Sequence, residues 1–160
     1  MLTRPLRIAL LIKTVHQAIR TELDVRLRER GLTLPQVAVL VRLRQSSGAS
    51  NAELARAAFV SPQAMAEVVQ AMLDKGWITR CADQDNARVL RTALTRAGME
   101  MMQVGAAEIA SVEERLTRAL KPGEEVALRV MLERCAQAFG ASLPKNQPRR
   151  RRHDRKHGTR

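Results

Sequence analysis

Residues 50–95 read SNAELARAAFVSPQAMAEVVQAMLDKGWITRCADQDNARVLRTALT, two short helices followed by a two-stranded hairpin. Ser50 lies three residues before Glu53, a capping box that satisfies free amides at the start of a helix running to about Ala58. Phe59 and Val60 carry the turn. Ser61-Pro62 restarts a helix, because proline is tolerated at the first helical position and a serine oxygen can accept from an amide one turn in. Met65, Val68, Val69, Met72 and Leu73 then recur at helical spacing and form one apolar stripe. Gln63, Ala66, Glu67 and Gln70 are left on the opposite face, for water or a partner. Lys75 and Gly76 end the helix with a cation at the negative end of its dipole and a left-handed cap. Two apolar runs, 77–80 and 88–94, flank the turn-forming Asp83-Gln84-Asp85-Asn86, as in a hairpin.

A short helix, a tight turn and a second amphipathic helix form a unit whose second helix can enter the major groove, with the hairpin lying over neighbouring phosphates. A helical hairpin in an all-α bundle would account for the two helices. It would leave the strand-like pair rimmed by Arg80, Arg88 and Arg91 without a purpose.

Further out, residues 6–30 carry Ile8, Leu11, Ile12, Val15, Ile19, Leu23 and Leu27 at helical spacing, closed by Gly31. Thr33 and Gln36 form a second capping box, opening a helix over about 34–44, and Ser46-Ser47-Gly48 is the loop into the motif. Thr95 can cap a long helix with Met99, Met102, Ala106, Ile109, Val112 and Leu116 on one side. Pro122-Gly123 breaks it, and a last helix over about 124–139 places Leu128, Met131, Leu132, Cys135 and Phe139 on one stripe. The terminal helices carry more apolar length than a small core needs, so they should meet a second copy of the chain.

At 160 residues the chain can build one sizeable core. Its formal net charge of +12 points to a polyanionic partner. Half of that charge sits at the end, where Arg149, Arg150, Arg151, Arg152, Arg155, Lys156 and Arg160 face only Asp154, a net of +6. With Pro144 and Pro148, this composition reads as a disordered basic tail over 144–160.

Four segments, LTLPQVAVL (32–40), AELARAAFVSPQAM (52–65), LDKGWITR (73–80) and DQDNARVLRTALTRAG (83–98), resemble the MarR family of winged helix-turn-helix transcriptional regulators, in order and spacing. The resemblance covers most of the chain, in detail from Leu32 to about Met102. It implies a mainly α fold with a small β-hairpin wing. Residues 32–95 would form the DNA-binding region, and 1–31 with 96–143 a helical dimerisation region using Ile8, Leu11, Ile12, Val15, Leu128, Met131, Leu132, Cys135 and Phe139. The implied function is a dimeric, ligand-responsive repressor of transcription on an inverted-repeat operator in double-stranded DNA, with reading helices roughly 34 Å apart. A small amphipathic effector would bind between the dimer helices and the winged domain. Two other classes stay open: a non-specific or architectural nucleic-acid binder driven by the tail, and a winged-helix module that binds protein.

By the same resemblance, Ser61, Gln63, Ala64, Ala66 and Glu67 face the bases. Gln63 can bond adenine bidentately, and Ala64 or Ala66 can touch a thymine methyl. Many relatives have a basic or hydroxyl residue where this chain has Glu67. A carboxylate near phosphates is unfavourable unless it accepts from cytosine N4 or pairs with an arginine, and a solvated or intramolecular Glu67 is the alternative. Relatives commonly carry Asp-Arg-Arg at the wing tip, where this chain has Asn86-Ala87-Arg88. Arg88 is the leading minor-groove or phosphate contact, with Arg80, Arg91 and Lys75 in support.

Cys81 and Cys135 have neither disulfide nor metal spacing and read as small, partly buried apolar residues in a reducing cytoplasm. Redox sensing at Cys81 is the rival reading, but oxidant-sensing relatives carry their cysteine in the N-terminal helices. His16 reads as a structural or surface polar residue, and His153 and His157 lack a third ligand for a metal. No phosphate loop, zinc-protease motif or nucleophile elbow is present, so neither an enzyme nor a cofactor is expected. The apolar run at 8–12 is far too short to span a membrane.

Overall fold

The computed structural model describes residues 7–82 and 90–141. Its elements are α1 (Ile8–Glu29), α2 (Leu34–Gln45), α3 (Asn51–Ala58), α4 (Pro62–Asp74), β1 (Ile78–Ala82), β2 (Leu90–Leu94), α5 (Arg96–Thr117) and α6 (Glu124–Ala138). The fold is mainly helical with one antiparallel hairpin, in which Ile78 pairs with Leu94 and Ala82 with Leu90.

Local chemistry sets most helix ends. The Thr33 amide donates to Gln36 Oε1 at 3.0 Å, while Thr33 Oγ1 accepts from the Gln36 amide at 3.4 Å. That exchange explains how the polar Gln36 side chain is buried. Ser50 and Glu53 form the second reciprocal pair, and Ser61 Oγ accepts from the Ala64 amide at 3.2 Å. At the end of α4, the Trp77 amide donates to the Met72 carbonyl and the Gly76 amide to that of Leu73, with Gly76 left-handed at φ 66°. These two hydrogen bonds close the last turn. They also use Trp77 as part of the cap, so β1 starts one residue later than the apolar run suggested.

Two compact units divide the chain at residues 116 and 117. In the first, α2 lies at the centre, with Val37, Val39, Leu40 and Leu43 all buried and so occupied on more than one side. Leu23 and Leu27 of α1, Leu54 of α3, Met65, Val69 and Met72 of α4, Ile78 of β1 and Val112 of α5 complete the core. Burying an aliphatic side chain of this kind stabilises the fold by roughly 1.5–3 kcal/mol.

One expectation about a face changes. On α5 the buried line is Gly98, Gly105 and Val112, whereas Met99 and Ala106 are exposed. The helix approaches its neighbours so closely that a glycine is needed at two of the contact points. A Cβ on Gly98 would lie 1.9 Å from the Trp77 carbonyl oxygen, and one on Gly105 would lie 2.6 Å from Val37 Cγ2. On α1 only Leu23 and Leu27 are buried, while Ile8, Leu11, Ile12 and Val15 stay exposed.

Ion pairs fasten α1 to α5. Glu22 accepts from Arg26 Nε at 2.8 Å and Arg115 Nη1 at 3.0 Å, and Glu108 accepts from Arg30 Nε at 2.8 Å. The bond from Arg26 is the main reason the Glu22 carboxyl lies below its ordinary range; partial desolvation opposes it and Arg115 adds to it.

In the second unit, α6 follows Gly123 and carries acidic Glu124 and Glu125 in its first turn, the favourable sign for the dipole. None of its residues is buried within the unit; Met131, Leu132, Cys135 and Phe139 are exposed and Leu128 is half-buried.

Candidate nucleic-acid interface

The α4 stripe sorts as its spacing requires. Met65, Val69 and Met72 are buried, Val68 and Leu73 pack against them, and Gln63, Ala66, Glu67 and Gln70 are exposed. Anchoring one face in the core holds the other rigidly outward. Of the residues expected at the bases, Ser61, Gln63, Ala66 and Glu67 are exposed and Ala64 is half-buried. Ser61 Oγ already caps α4, which leaves its hydroxyl proton for a partner. Gln70 Nε2 donates to Asp74 Oδ1 at 2.9 Å, so those two polar groups bond to each other.

Alternation along the ladder puts Arg80 on the same side as Ile78 and Thr92, and Arg91 on the side of Cys81. Both arginines nevertheless line one cleft of about 740 Å³ together with Ser47, Ser50, Asn51 and Glu53. The cleft runs from the hairpin to the start of α3, where first-turn amides and a helix dipole add to the guanidinium charges. The Arg91 side chain also covers Gly48, whose missing Cβ would meet Arg91 Cδ at 2.8 Å. Its stem therefore supports the α2–α3 connection. The α3 start was legible in the sequence only as a cap. Its convergence with Arg80 and Arg91 depends on how the hairpin folds back, since the Gly48 amide donates to the Thr92 carbonyl at 3.0 Å.

Lys75 is engaged elsewhere. Its Nζ donates to the Gly31 carbonyl at 3.1 Å and lies 4.4 Å from the centre of the Trp77 ring, joining the end of α1 to the end of α4. Arg88, the wing tip at 83–86 and the tail at 144–160 with His153 and His157 lie outside the described residues. Both cysteines are exposed, contrary to the expectation of partial burial. The Cys81 thiol donates to the Arg91 carbonyl on the paired strand at 3.5 Å, and α6 buries none of its residues within its own unit. His16 is exposed on α1.

No group of three His, Cys, Asp or Glu side chains that could hold a metal occurs among the described residues. Among them, too, no helix is long and apolar enough to cross a membrane.

A helix-turn-helix with an outward second helix, followed by a hairpin that brings basic residues alongside, defines a winged-helix protein. The MarR family model matches residues 32–90. HTH-type transcriptional repressor Rv2887 of Mycobacterium tuberculosis and repressor Mb2911 of Mycobacterium bovis are each 35% identical over 124 residues, 78% of this chain and 89% of theirs. The solved structure of Rv2887 with salicylic acid superposes with a TM-score of 0.70 at 33% identity, over 82% of this chain and 97% of that one. Rv2887 with DNA gives 0.69 at 30% identity, over 82% and 98%. The chain belongs to the MarR family, whose members are transcriptional regulators and not enzymes.

Proposed function

We propose that this protein is a homodimeric, sequence-specific repressor that binds an inverted-repeat operator and releases it when a small aromatic acid binds. The observation that carries the reading is the exposed α4 face of Gln63, Ala66 and Glu67, held outward by the buried Met65, Val69 and Met72. Arg80, Arg91 and the start of α3 supply phosphate contacts beside it, Arg88 is a further minor-groove or phosphate contact, and the basic tail adds affinity that is independent of sequence.

Dimerisation rests on the exposed apolar stretches of the described units: Ile8, Leu11, Ile12 and Val15 on α1, and Met131, Leu132, Cys135 and Phe139 on α6, with the half-buried Leu128 beside them. Residues 1–31 and 96–143 would form the dimerisation region and 32–95 the reading region.

Rv2887 has been solved with salicylic acid and p-aminosalicylic acid. In this chain a cleft of about 470 Å³ between the end of α2 and the start of α5 suits such a molecule. Arg44 can take a carboxylate, and Leu43, Leu94 and Met99 can take a ring.

Selection of bound sequences from a random DNA pool, alongside sedimentation of the free protein, tests the reading. A two-fold motif and a dimer are expected, and salicylate should lower affinity for the selected site. A monomer, or a pool in which no sequence is enriched, would overturn it.

A further inference from the structure

The α4 helix is unusual for a segment meant to lie against a polyanion, because from Pro62 to Asp74 it carries no lysine or arginine and two carboxylates, Glu67 and Asp74. Asp74 accepts from Gln70. Glu67 does not share in that pair. The residues one turn away on either side are Gln63, Ala64, Gln70 and Ala71, none of them cationic, and no described residue forms a salt bridge or hydrogen bond with its carboxylate. An exposed, unpaired carboxylate in the middle of the outward face would repel phosphates from any register on DNA unless it finds donors there.

We propose that Glu67 determines specificity by accepting a hydrogen bond from the N4 amino group of a cytosine, so that each half-site carries a C·G pair at this position. The inference rests on the reading that α4 enters the major groove. An ionised carboxylate is an acceptor only. Two bases show a donor in that groove, but adenine N6 sits beside the N7 acceptor, which a carboxylate cannot satisfy, whereas cytosine shows its amino group without one. Gln63 has both a donor and an acceptor and matches the adenine pair N6 and N7. The two side chains are four residues apart, about 6 Å along the helix axis. With base steps of about 3.4 Å, the cytosine falls one or two base pairs from the adenine. Phosphate attraction is then left to groups outside α4, and the negative face of the helix lowers affinity for sequences that lack the cytosine.

The test is selection from a random duplex pool with the full chain and its Glu67→Gln, Glu67→Ala and Gln63→Ala variants, each first checked for an unchanged melting temperature. The full chain should enrich a cytosine one or two base pairs from an adenine in each half-site. Glu67→Gln should exchange that cytosine for adenine, and Glu67→Ala should lose the preference, which a single good base contact sets at about five- to 150-fold. Both should bind random DNA more tightly. If Glu67→Gln and Glu67→Ala tighten binding to every sequence and leave the motif intact, Glu67 is only repelled and the proposal fails. If Gln63→Ala alters the motif and the Glu67 variants do not, α4 reads bases and Glu67 is not a reader. If no variant alters the motif, or none is enriched, both the cytosine contact and base reading by α4 are overturned.

Discussion

Replacing Gly98 by alanine tests the joint that ties the hairpin to α5. An added Cβ would stand 1.9 Å from the Trp77 carbonyl oxygen, 2.9 Å from its carbon and 3.3 Å from Leu94 Cδ2. To reach even 3.0 Å, the two backbones must part by about 1.1 Å. The obstructing atom cannot turn aside as a side chain can. The same oxygen accepts from the Thr95 amide at 3.1 Å and shares, at 3.1 Å, the Thr95 hydroxyl proton that the Gly76 carbonyl takes at 2.7 Å, and Thr95 Oγ1 in turn accepts from the Gly98 amide at 3.0 Å. Overpacking of this kind costs about 1–3 kcal/mol, and each stretched hydrogen bond adds about 0.5–1.5 kcal/mol. Alanine recovers about 0.5–1 kcal/mol in helix propensity. The net expectation is a loss of about 2–4 kcal/mol, a melting temperature lower by about 5–15 °C for a chain of this size. Gly105 supplies the control. Its added Cβ would meet Val37 Cγ2 at 2.6 Å, a side-chain atom, so Val37→Ala should relieve Gly105→Ala in the double variant. Leu94→Ala should not relieve Gly98→Ala. Thermal and urea unfolding of the four single and two double variants measures both cycles. A Gly98→Ala protein within about 0.5 kcal/mol of the parent, or one restored by Leu94→Ala, would refute the backbone clash.

Phe59 occupies the left-handed position after α3, at φ 54° with its ring 94% exposed, where Gly76 does the same work after α4. A non-glycine residue there costs about 1–2 kcal/mol and glycine returns part of this through the unfolded chain, so Phe59→Gly should raise stability by about 0.5–1 kcal/mol in urea titration; a loss would mean that the exposed ring packs usefully. The lowered Glu22 pKa gives a pH signature: its contribution is complete above the ordinary carboxylate value and is lost as the pH falls through the lowered one. The melting temperatures of the parent and Glu22→Gln should therefore differ at pH 7 and converge below about pH 4, and a gap unchanged at pH 3 would show that charge is not its source. Removing residues 148–160 should weaken specific and random DNA equally and reduce the salt slope by several units for a dimer carrying two tails, whereas an unaltered slope in fluorescence titrations would assign the tail to another partner.

Helix boundaries were legible because their causes are local. Thr33 with Gln36, Ser50 with Glu53, Ser61 with Pro62, and Gly76 each act within a turn of their own position, so chain order alone places α2, α3 and α4 within a residue or two. The outward face of α4 followed for the same reason, since burial of a stripe at 3.6-residue spacing leaves only one face free. Sequence also sufficed for the excess of apolar length on α1 and α6 and the concentration of charge at the end of the chain. What it could not supply is anything that depends on distance between elements. Apolar spacing placed Met102, Ile109 and Val112 on the inner side of α5 and put Met99 and Ala106 with them, but those two are exposed and the closest approach is made by Gly98 and Gly105, where contact needs a side chain to be absent. Lys75, free on paper to meet a phosphate, is taken by the Gly31 carbonyl and the Trp77 ring. Arg80 and Arg91 alternate along the hairpin and still share one cleft at the start of α3. Local hydrogen bonds and periodicity are encoded within about a turn of chain, whereas these three outcomes depend on which backbones come within a few ångströms of each other, and only the packed core decides that.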